Sequence, residues 1–398
     1  MHQADSLWKA AVNLGFPMAV WRLPHESEIK LMISVQEGIQ WKKPDLEQLP
    51  ASFVIHPFKN QEEDTAMVLE ADLILTYSED AELLSFDSKL GEEHPTIKRL
   101  VQESATIADR SQPDNDWEGL GKEAFPNPGA EEHYKGIVTQ AIEAIKSGQL
   151  DKVVLSRTKN YPYSEKFELF KAFQKLCKAY VSAFVSMVSL PDRGETWLGA
   201  TPERLVGIDA NGFFRTTSLA GTQSARTQTG EIIPAKEVRW GQKEIEEQAL
   251  VSRYIIECFK KIRLREYLEK GPKTSRAGNL YHLRTDYEVN TREVNFPELG
   301  TVMLKLLHPT SAVCGMPKQP ALDFINAAEN YDRELYSGYL GPVQVDQDSS
   351  LFVNLRSMRF KDGIATLFAG AGITEDSDPR KEWEETEMKC DTLLRVLV

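Results

Sequence analysis

Near its C-terminal end the chain reads LFAGAGITEDSDPRKEWEETEMK (residues 367–389), which prescribes a strand, a glycine-lined end to it and a capped helix in succession. Asp378 suits an N-cap, where a carboxylate accepts from free backbone N–H groups, and Pro379 suits the first helical position, where no N–H is needed. On the helix that follows, Glu382, Glu385 and Lys389 stand at i, i+3 and i+7 and share one face. Bare backbone at Gly370 and Gly372 lets a ligand approach closely, two carboxylates suit a hard cation, and a lysine suits an anion. A solvated charged helix behind a glycine turn explains the same residues, so this segment alone leaves both readings open.

At 398 residues the chain can bury a large core, as one big domain or two to three smaller ones. Its formal net charge of -13 argues against broad nucleic-acid binding, which wants a basic footprint, but not against a small anionic substrate held by local cations. The four cysteines (Cys177, Cys258, Cys314, Cys390) are scattered without CxxC spacing, so the expectation is buried free thiols in a reducing compartment. The first residues lack the basic start and apolar run of a secretory signal, and no apolar stretch approaches the roughly 20 residues a membrane helix needs. The expectation is a soluble, cytoplasmic protein.

Residues 1 to about 112 mix strand-like runs (MAVWRL, IKLMISV, AMVLEADLILTY) with acidic loops and carry no motif with evident chemistry. The polar stretch 111–130 reads as a connector. Beyond it, Tyr134, Ile137, Val138, Ala141, Ile142 and Ile145 recur at helical spacing and Ser147-Gly148 closes that helix. KVVLSRT follows as a strand, TWLGA and RLVGID flank a tight Thr-Pro-Glu turn, and a second amphipathic helix is expected over 243–268. SLFVNLRSMRF and GIATLFAGAGI look like neighbouring strands. Long helices among many strands, without strict βαβ alternation, point to an α+β layered fold.

Four places would be costly without a purpose. Lys152 shares a strand face with Val154 and Ser156, opposite Val153 and Leu155, although a lysine opening a strand is ordinarily solvated. Glu203 sits in the Ala200-Thr201-Pro202-Glu203 turn, where an acid is ordinarily exposed. Glu247 lies on the apolar stripe of the second helix with Val251, Tyr254, Ile255 and Cys258, which demands a salt bridge or a bound cation. Arg356, with Asn354, takes the polar parity of its strand, suited either to bidentate recognition of a carboxylate or to an edge facing water. Walker A, GxGxxG, GxSxG and HExxH patterns are all absent, which lowers nucleotide-dependent and zinc-hydrolytic chemistry.

The order of motifs resembles the chorismate-utilising enzymes, most closely the isochorismate synthases of menaquinone and siderophore pathways. KVVLSR (152–157), GATPERLV (199–206), SLAGT (218–222), KEIEEQALV (243–251), LHPTSAVCGMPK (307–318), RELYSGYLG (333–341), Leu355-Arg356 and AGAGITEDSDPRKEWEETEMK (369–389) fall in sequence over the C-terminal two-thirds. The resemblance implies a layered chorismate-binding fold with large β-sheets flanked by helices. In it, residues 126–398 form the catalytic region and residues 1–125 a variable part packed into the same fold. Lys152 would be the base that activates water for attack at C2 of chorismate, and Glu203 the acid that protonates the departing C4 hydroxyl. Glu247 and Glu385 would hold Mg2+, with Glu382 beside them. Tyr336, Arg356, Lys389 and the backbone at Gly370 and Gly372 would hold the substrate's carboxylates, and Gly221, Thr222 and Ala312 would line the ring pocket.

Within the resemblance, anthranilate synthases carry glutamine in place of Lys152, and aminodeoxychorismate synthases place a nucleophilic lysine where Ala220 stands. A glutaminase subunit is therefore not expected. Salicylate synthases share Lys152 and Glu203 and go on to eliminate pyruvate, which makes them the alternative; SAVCG at 311–315 lies closer to the isochorismate synthases. A non-catalytic chorismate- or magnesium-binding relative is a further alternative, against which the retained acid and base argue. Two departures lose a histidine: Gln248 follows Glu247 where the family has histidine, and the family's HL-x-T pattern is read at Glu298-Leu299-Gly300-Thr301, without its histidine; a third places Gln223-Ser224 after SLAGT where the family commonly has RPRG.

Overall fold

A computed structural model describes residues 3–35, 38–59, 65–110, 118–227, 231–278 and 280–398; residues 111–117 of the expected connector lie outside them. Two antiparallel sheets stack face to face. The ten-stranded sheet runs, in spatial order, Gly315–Met316, Lys152–Pro162, Ile364–Ile373, Ser357–Lys361, Glu195–Thr201, Phe184–Leu190, Met18–Arg22, Ile29–Ile33, Leu73–Tyr77 and Leu83–Ser88. The nine-stranded sheet runs Leu268–Ala277, Leu280–Asn290, Phe213–Ser224, Arg204–Ile208, Ser349–Val353, Tyr339–Val343, Ser52–His56, Ala66–Glu70 and Gln40–Lys42. Strands of the first 125 residues enter both sheets: Met18–Arg22 pairs with Phe184–Leu190, and Ser52–His56 with Tyr339–Val343.

The period of two along each strand divides the apolar residues between layers. Ala19 and Trp21 face the other sheet, whereas Met18 and Val20 join the cluster under the helices Ala4–Asn13, Leu169–Ala179 and Pro379–Leu397. Between the sheets Trp21 meets Phe53 with ring centroids 5.3 Å apart, and Phe184 stacks on Phe352 at 4.2 Å. The outer face of the nine-stranded sheet is covered by the helices Gln242–Lys261 and Leu299–Leu307, whose Tyr254, Ile255, Phe259, Met303 and Leu304 pack on Phe214, Tyr287 and Val289. The order helix, sheet, sheet, helix is the α+β layering expected, and all four cysteines are free and buried.

Two expected elements are corrected. The second helix stops at Lys261 and not near 268: Arg263 turns to φ +60° and Leu264 N–H bonds back to Phe259 O at 2.9 Å, after which Leu268 already belongs to a strand. SLFVNLRSMRF is two strands, not one. Ser349–Val353 lies in the nine-stranded sheet, Ser357–Lys361 in the ten-stranded sheet, and Arg356 at φ +49° turns the chain from one to the other. The Pro202-Glu203 link makes the reverse crossing between Glu195–Thr201 and Arg204–Ile208. The crossings are tied together: Thr201 Oγ1 donates to Val353 O (2.7 Å), Val353 N–H to Glu203 O (3.0 Å), and Ala200 N–H to Arg356 O (3.0 Å).

Candidate active site

Where the sheets exchange strands, an open-mouthed cavity, about 660 Å³ when its solvent-filled mouth is included, lies among Glu203, Gly221, Glu247, His282, Arg356 and Lys389, with Val154, Leu219, Tyr336 and Phe368 as apolar wall. Of the residues expected here from the sequence, Glu203, Gly221, Thr222, Glu247, Ala312, Tyr336, Arg356, Gly370, Gly372 and Lys389 line it. Lys152, Glu382 and Glu385 are not among its lining residues.

The turn acid is not exposed. Glu203 is 3% accessible because the crossing carries it inward from between two sheets. Burial raises its carboxyl to about 8, against the pull of Lys152, Lys389 and Arg356, so the acid keeps its proton at neutral pH. The strand parity of 152–156 holds: Val153 and Leu155 enter the cluster with helix Ala130–Lys146, and Val154 faces the cavity. Lys152 has no accessible surface, and its Nζ donates to Glu247 Oε1 at 2.9 Å. Glu247 Oε2 accepts the Gly221 N–H at 3.1 Å. Burial pushes the Glu247 carboxyl up, but the ammonium groups of Lys152, Lys243 and Lys389 outweigh it and leave it at about 2. Both open choices for this glutamate thus begin from a salt bridge, to Lys152.

The C-terminal segment folds as its spacing prescribes. Asp378 caps the helix Pro379–Leu397 by accepting from Lys381 N–H at 2.9 Å. Lys389 pairs with Glu385 at 2.8 Å and donates to Gly370 O at 2.7 Å. Gly372 is required by space: a Cβ there would collide with Glu247 Oε1 and stand 3.0 Å from Lys152 Cε. At Gly370 a Cβ would come within 3.1 Å of the Tyr336 hydroxyl. The glycines therefore admit the site's own side chains as well as any ligand.

Glu382 is 1% exposed; it forms an ion pair with Lys243 through Oε1 and leaves Oε2 buried without a hydrogen-bond partner. Burial pushes its carboxyl up against the Lys243 ammonium, and Glu385 adds to the rise. Lys243, four residues before Glu247 on the same helix, is acted on by Glu382, Glu385 and Glu247 together. Among the described residues no three His, Cys, Asp or Glu side chains form a ready metal cage. The donor set nonetheless suits a hard cation: oxygen ligands only, three carboxylates gathered around one ammonium, and an orphaned buried oxygen.

Two residues escape the sequence reading. Lys243 is one, signalled only by its i−4 spacing from Glu247. His282 is the other. It lines the cavity, accepts from Arg356 Nη2 at 2.8 Å and stands 2.7 Å from Gly221 O. It opens His282-Leu283-Arg284-Thr285, an HL-x-T pattern on the strand Leu280–Asn290, so the placement of that pattern at Glu298–Thr301 is wrong. There Leu299 and Gly300 open a helix packed on the outer cluster, and Thr301 hydrogen-bonds Glu47. The histidine is present. Gln248, the other departure that loses a histidine, is buried and donates to Ser218 Oγ (2.8 Å) and Thr285 Oγ1 (3.0 Å), pinning the helix to both strands beneath it.

Known proteins share this fold. The family model described as "Chorismate binding enzyme" matches residues 43–398. The chain belongs to that family. It is 30% identical over 266 residues to isochorismate synthase EntC of Escherichia coli (strain K12), a match covering 66% of each chain. It is 30% identical over 273 residues to the salicylate biosynthesis isochorismate synthase of Pseudomonas aeruginosa, covering 66% of this chain and 54% of that one. The chain thus spans about two thirds of the first relative's length and about half of the second's. Among solved structures it is similar to MenF, the menaquinone-specific isochorismate synthase of Escherichia coli, with TM-score 0.74, 22% identity, and coverage of 99% and 91%. It is also similar to anthranilate synthase component I of Streptococcus pneumoniae TIGR4, with TM-score 0.66 and 17% identity, covering 94% of this chain and 89% of that one. These likenesses establish the fold. No described helix is long and apolar enough to cross a membrane.

Proposed function

We propose that this chorismate-binding enzyme is an isochorismate synthase, adding water at C2 of chorismate while the C4 hydroxyl leaves. The observation that carries the reading is the pairing, at one cavity, of a buried carboxylic acid still protonated at neutral pH with a fully buried lysine. Glu203 stays protonated to about pH 8, and Lys152 stands behind Gly372 and Glu247. A binding protein has no need of the two together. The isochorismate synthases among the relatives support the choice within the family.

In this reading Arg356, Tyr336 and Lys389 offset the charge of a dianionic substrate, and the apolar faces of Leu219, Val154 and Phe368 exclude water from its ring. Lys152 acts as the base once its ammonium has parted from Glu247 and given up a proton to solvent, and the neutral amine then takes the proton from the attacking water. Glu203 delivers its proton to the departing hydroxyl at the other end of the conjugated system. Mg2+ on Glu247 and Glu385, with Glu382 beside it, would supply positive charge to a substrate carboxylate and balance the glutamate charge that Lys152 and Lys243 now neutralise. Water being the nucleophile, no glutaminase partner is needed. Incubation with chorismate and Mg2+, with products separated by chromatography, is the test. Isochorismate alone is expected; salicylate with pyruvate would place the protein with the alternative activity, and chorismate binding without product would overturn the catalytic reading.

A further inference from the structure

Arg356 and Glu247 stand on different walls of the cavity, yet one chain of hydrogen bonds joins them. Arg356 Nη2 donates to His282 Nε2 at 2.8 Å, and His282 Nδ1 lies 2.7 Å from Gly221 O. A guanidinium can only donate and a carbonyl can only accept, so the imidazole carries its proton on Nδ1 and accepts at Nε2. Gly221 then offers its own N–H to Glu247 Oε2 at 3.1 Å, and the other oxygen of Glu247 takes Lys152 at 2.9 Å. Both polar groups of one residue are thus committed to opposite walls. Gly221 manages this at φ +68°, in the left-handed region, with Glu244 Cβ 3.0 Å from where a Cβ would stand. His282 is 4% exposed, and burial with the adjacent Arg356 charge holds it neutral, its pKa near 3. Its role is therefore the same across the working pH range.

We propose that His282 is a positioning residue that couples the anion-binding wall at Arg356 to the carboxylate wall at Glu247. It sets the guanidinium through Nε2 and, through Nδ1–H and Gly221, the rotamer of Glu247. A substrate carboxylate arriving on Arg356 redistributes that arginine's hydrogen bonds, and the change is felt by the imidazole, by Gly221 and by Glu247. A cation on Glu247 biases the same chain from its other end. Such coupling is reciprocal: each ligand changes the other's affinity by the same factor. The proposal rests on the functional reading above for the identity of the two ligands.

The test is calorimetric titration of Mg2+ into the whole 398-residue chain, with and without a chorismate solution first equilibrated with the enzyme. Turnover is recorded separately. In the wild type, chorismate is expected to tighten Mg2+ binding by a factor in the range of about 5 to 150 typical of coupled sites. His282→Met, which has neither the donor nor a strong acceptor, is expected to lose most of that factor while still binding each ligand alone. His282→Gln, which keeps one donor and one acceptor, is expected to restore it. Should His282→Met fail to fold, His282→Asn replaces it, its stem being too short to span both partners. A coupling factor unchanged in the Met or Asn variant overturns the proposal, as does a wild type in which chorismate leaves Mg2+ affinity unaltered. If chorismate does not bind at all, the functional reading falls and the proposal with it, whereas binding with unchanged coupling removes the proposal alone.

Discussion

Replacing Glu203 by glutamine should make the protein more stable while stopping its chemistry, and the gain should depend on pH in a defined way. The folded carboxyl titrates near 8 because it is 3% exposed between two sheets, while an unfolded glutamate titrates at 4.5. The sign follows from linkage. A carboxyl raised in the folded state favours folding most below the unfolded value, and that contribution is lost as pH climbs from 4.5 towards 8. At pH 7 the unfolded chain has released this proton and the folded chain has kept it. At about 1.36 kcal/mol per pH unit the difference is roughly 3 kcal/mol against the fold. Glutamine has the same shape and never ionises, so Glu203→Gln removes the penalty. Denaturant unfolding at a series of pH values is the assay. The variant should match the wild type below about pH 5, gain roughly 3 kcal/mol at pH 7 and level off above about pH 8. A stability difference that does not change with pH, or a variant less stable at pH 7, would refute the claim that this acid is held protonated by burial.

Turnover should fall about tenfold per pH unit above about pH 8 as Glu203 ionises, and a pH–rate profile flat to pH 10 would remove it from the acid role. Lys152→Met takes from the largely buried Glu247 its hydrogen-bonded cation, leaving only the pull of Lys243 and Lys389, and should destabilise the fold by about 1–3 kcal/mol. Adding Glu247→Gln should recover most of that stability in denaturant melts without recovering turnover. Gly372→Ala drives a methyl group into Glu247 Oε1, so it should cost about 1–3 kcal/mol and at least tenfold in turnover. Wild-type kinetics in that variant would mean that the Lys152–Glu247 pair is not needed where it stands.

Much of the frame was legible because it rests on local rules. The cap at Asp378, the parity that sets Lys152 and Val154 apart from Val153 and Leu155, and the stripe of helix Ala130–Lys146 all follow from spacing within one element. What escaped depends on how the two sheets exchange strands. Thr-Pro-Glu looks like a surface turn because nothing local records that its strands belong to different sheets, and that crossing is what buries Glu203. For the same reason 350–360 reads as one strand when Arg356 in fact turns between sheets at φ +49°. Glu247 announced that it needed a partner without saying which, since Lys152 lies 95 residues earlier. His282 was passed over because its strand, YHLRTDYEV, alternates like any half-buried strand. Two tetrapeptides share its Leu-x-Thr pattern, and only the strand faces the cavity.

If the proposed chemistry holds, water activated on the Lys152 side of the cavity becomes the C2 hydroxyl of the product as the C4 hydroxyl departs with the Glu203 proton. Turnover of chorismate in oxygen-18 water, with the isochorismate analysed by mass spectrometry, tests this most directly. One oxygen-18 atom at C2 of newly formed isochorismate is the result expected. Isochorismate formed without label would mean that the original hydroxyl migrates, and would contradict both Lys152 as the base and Glu203 as the acid.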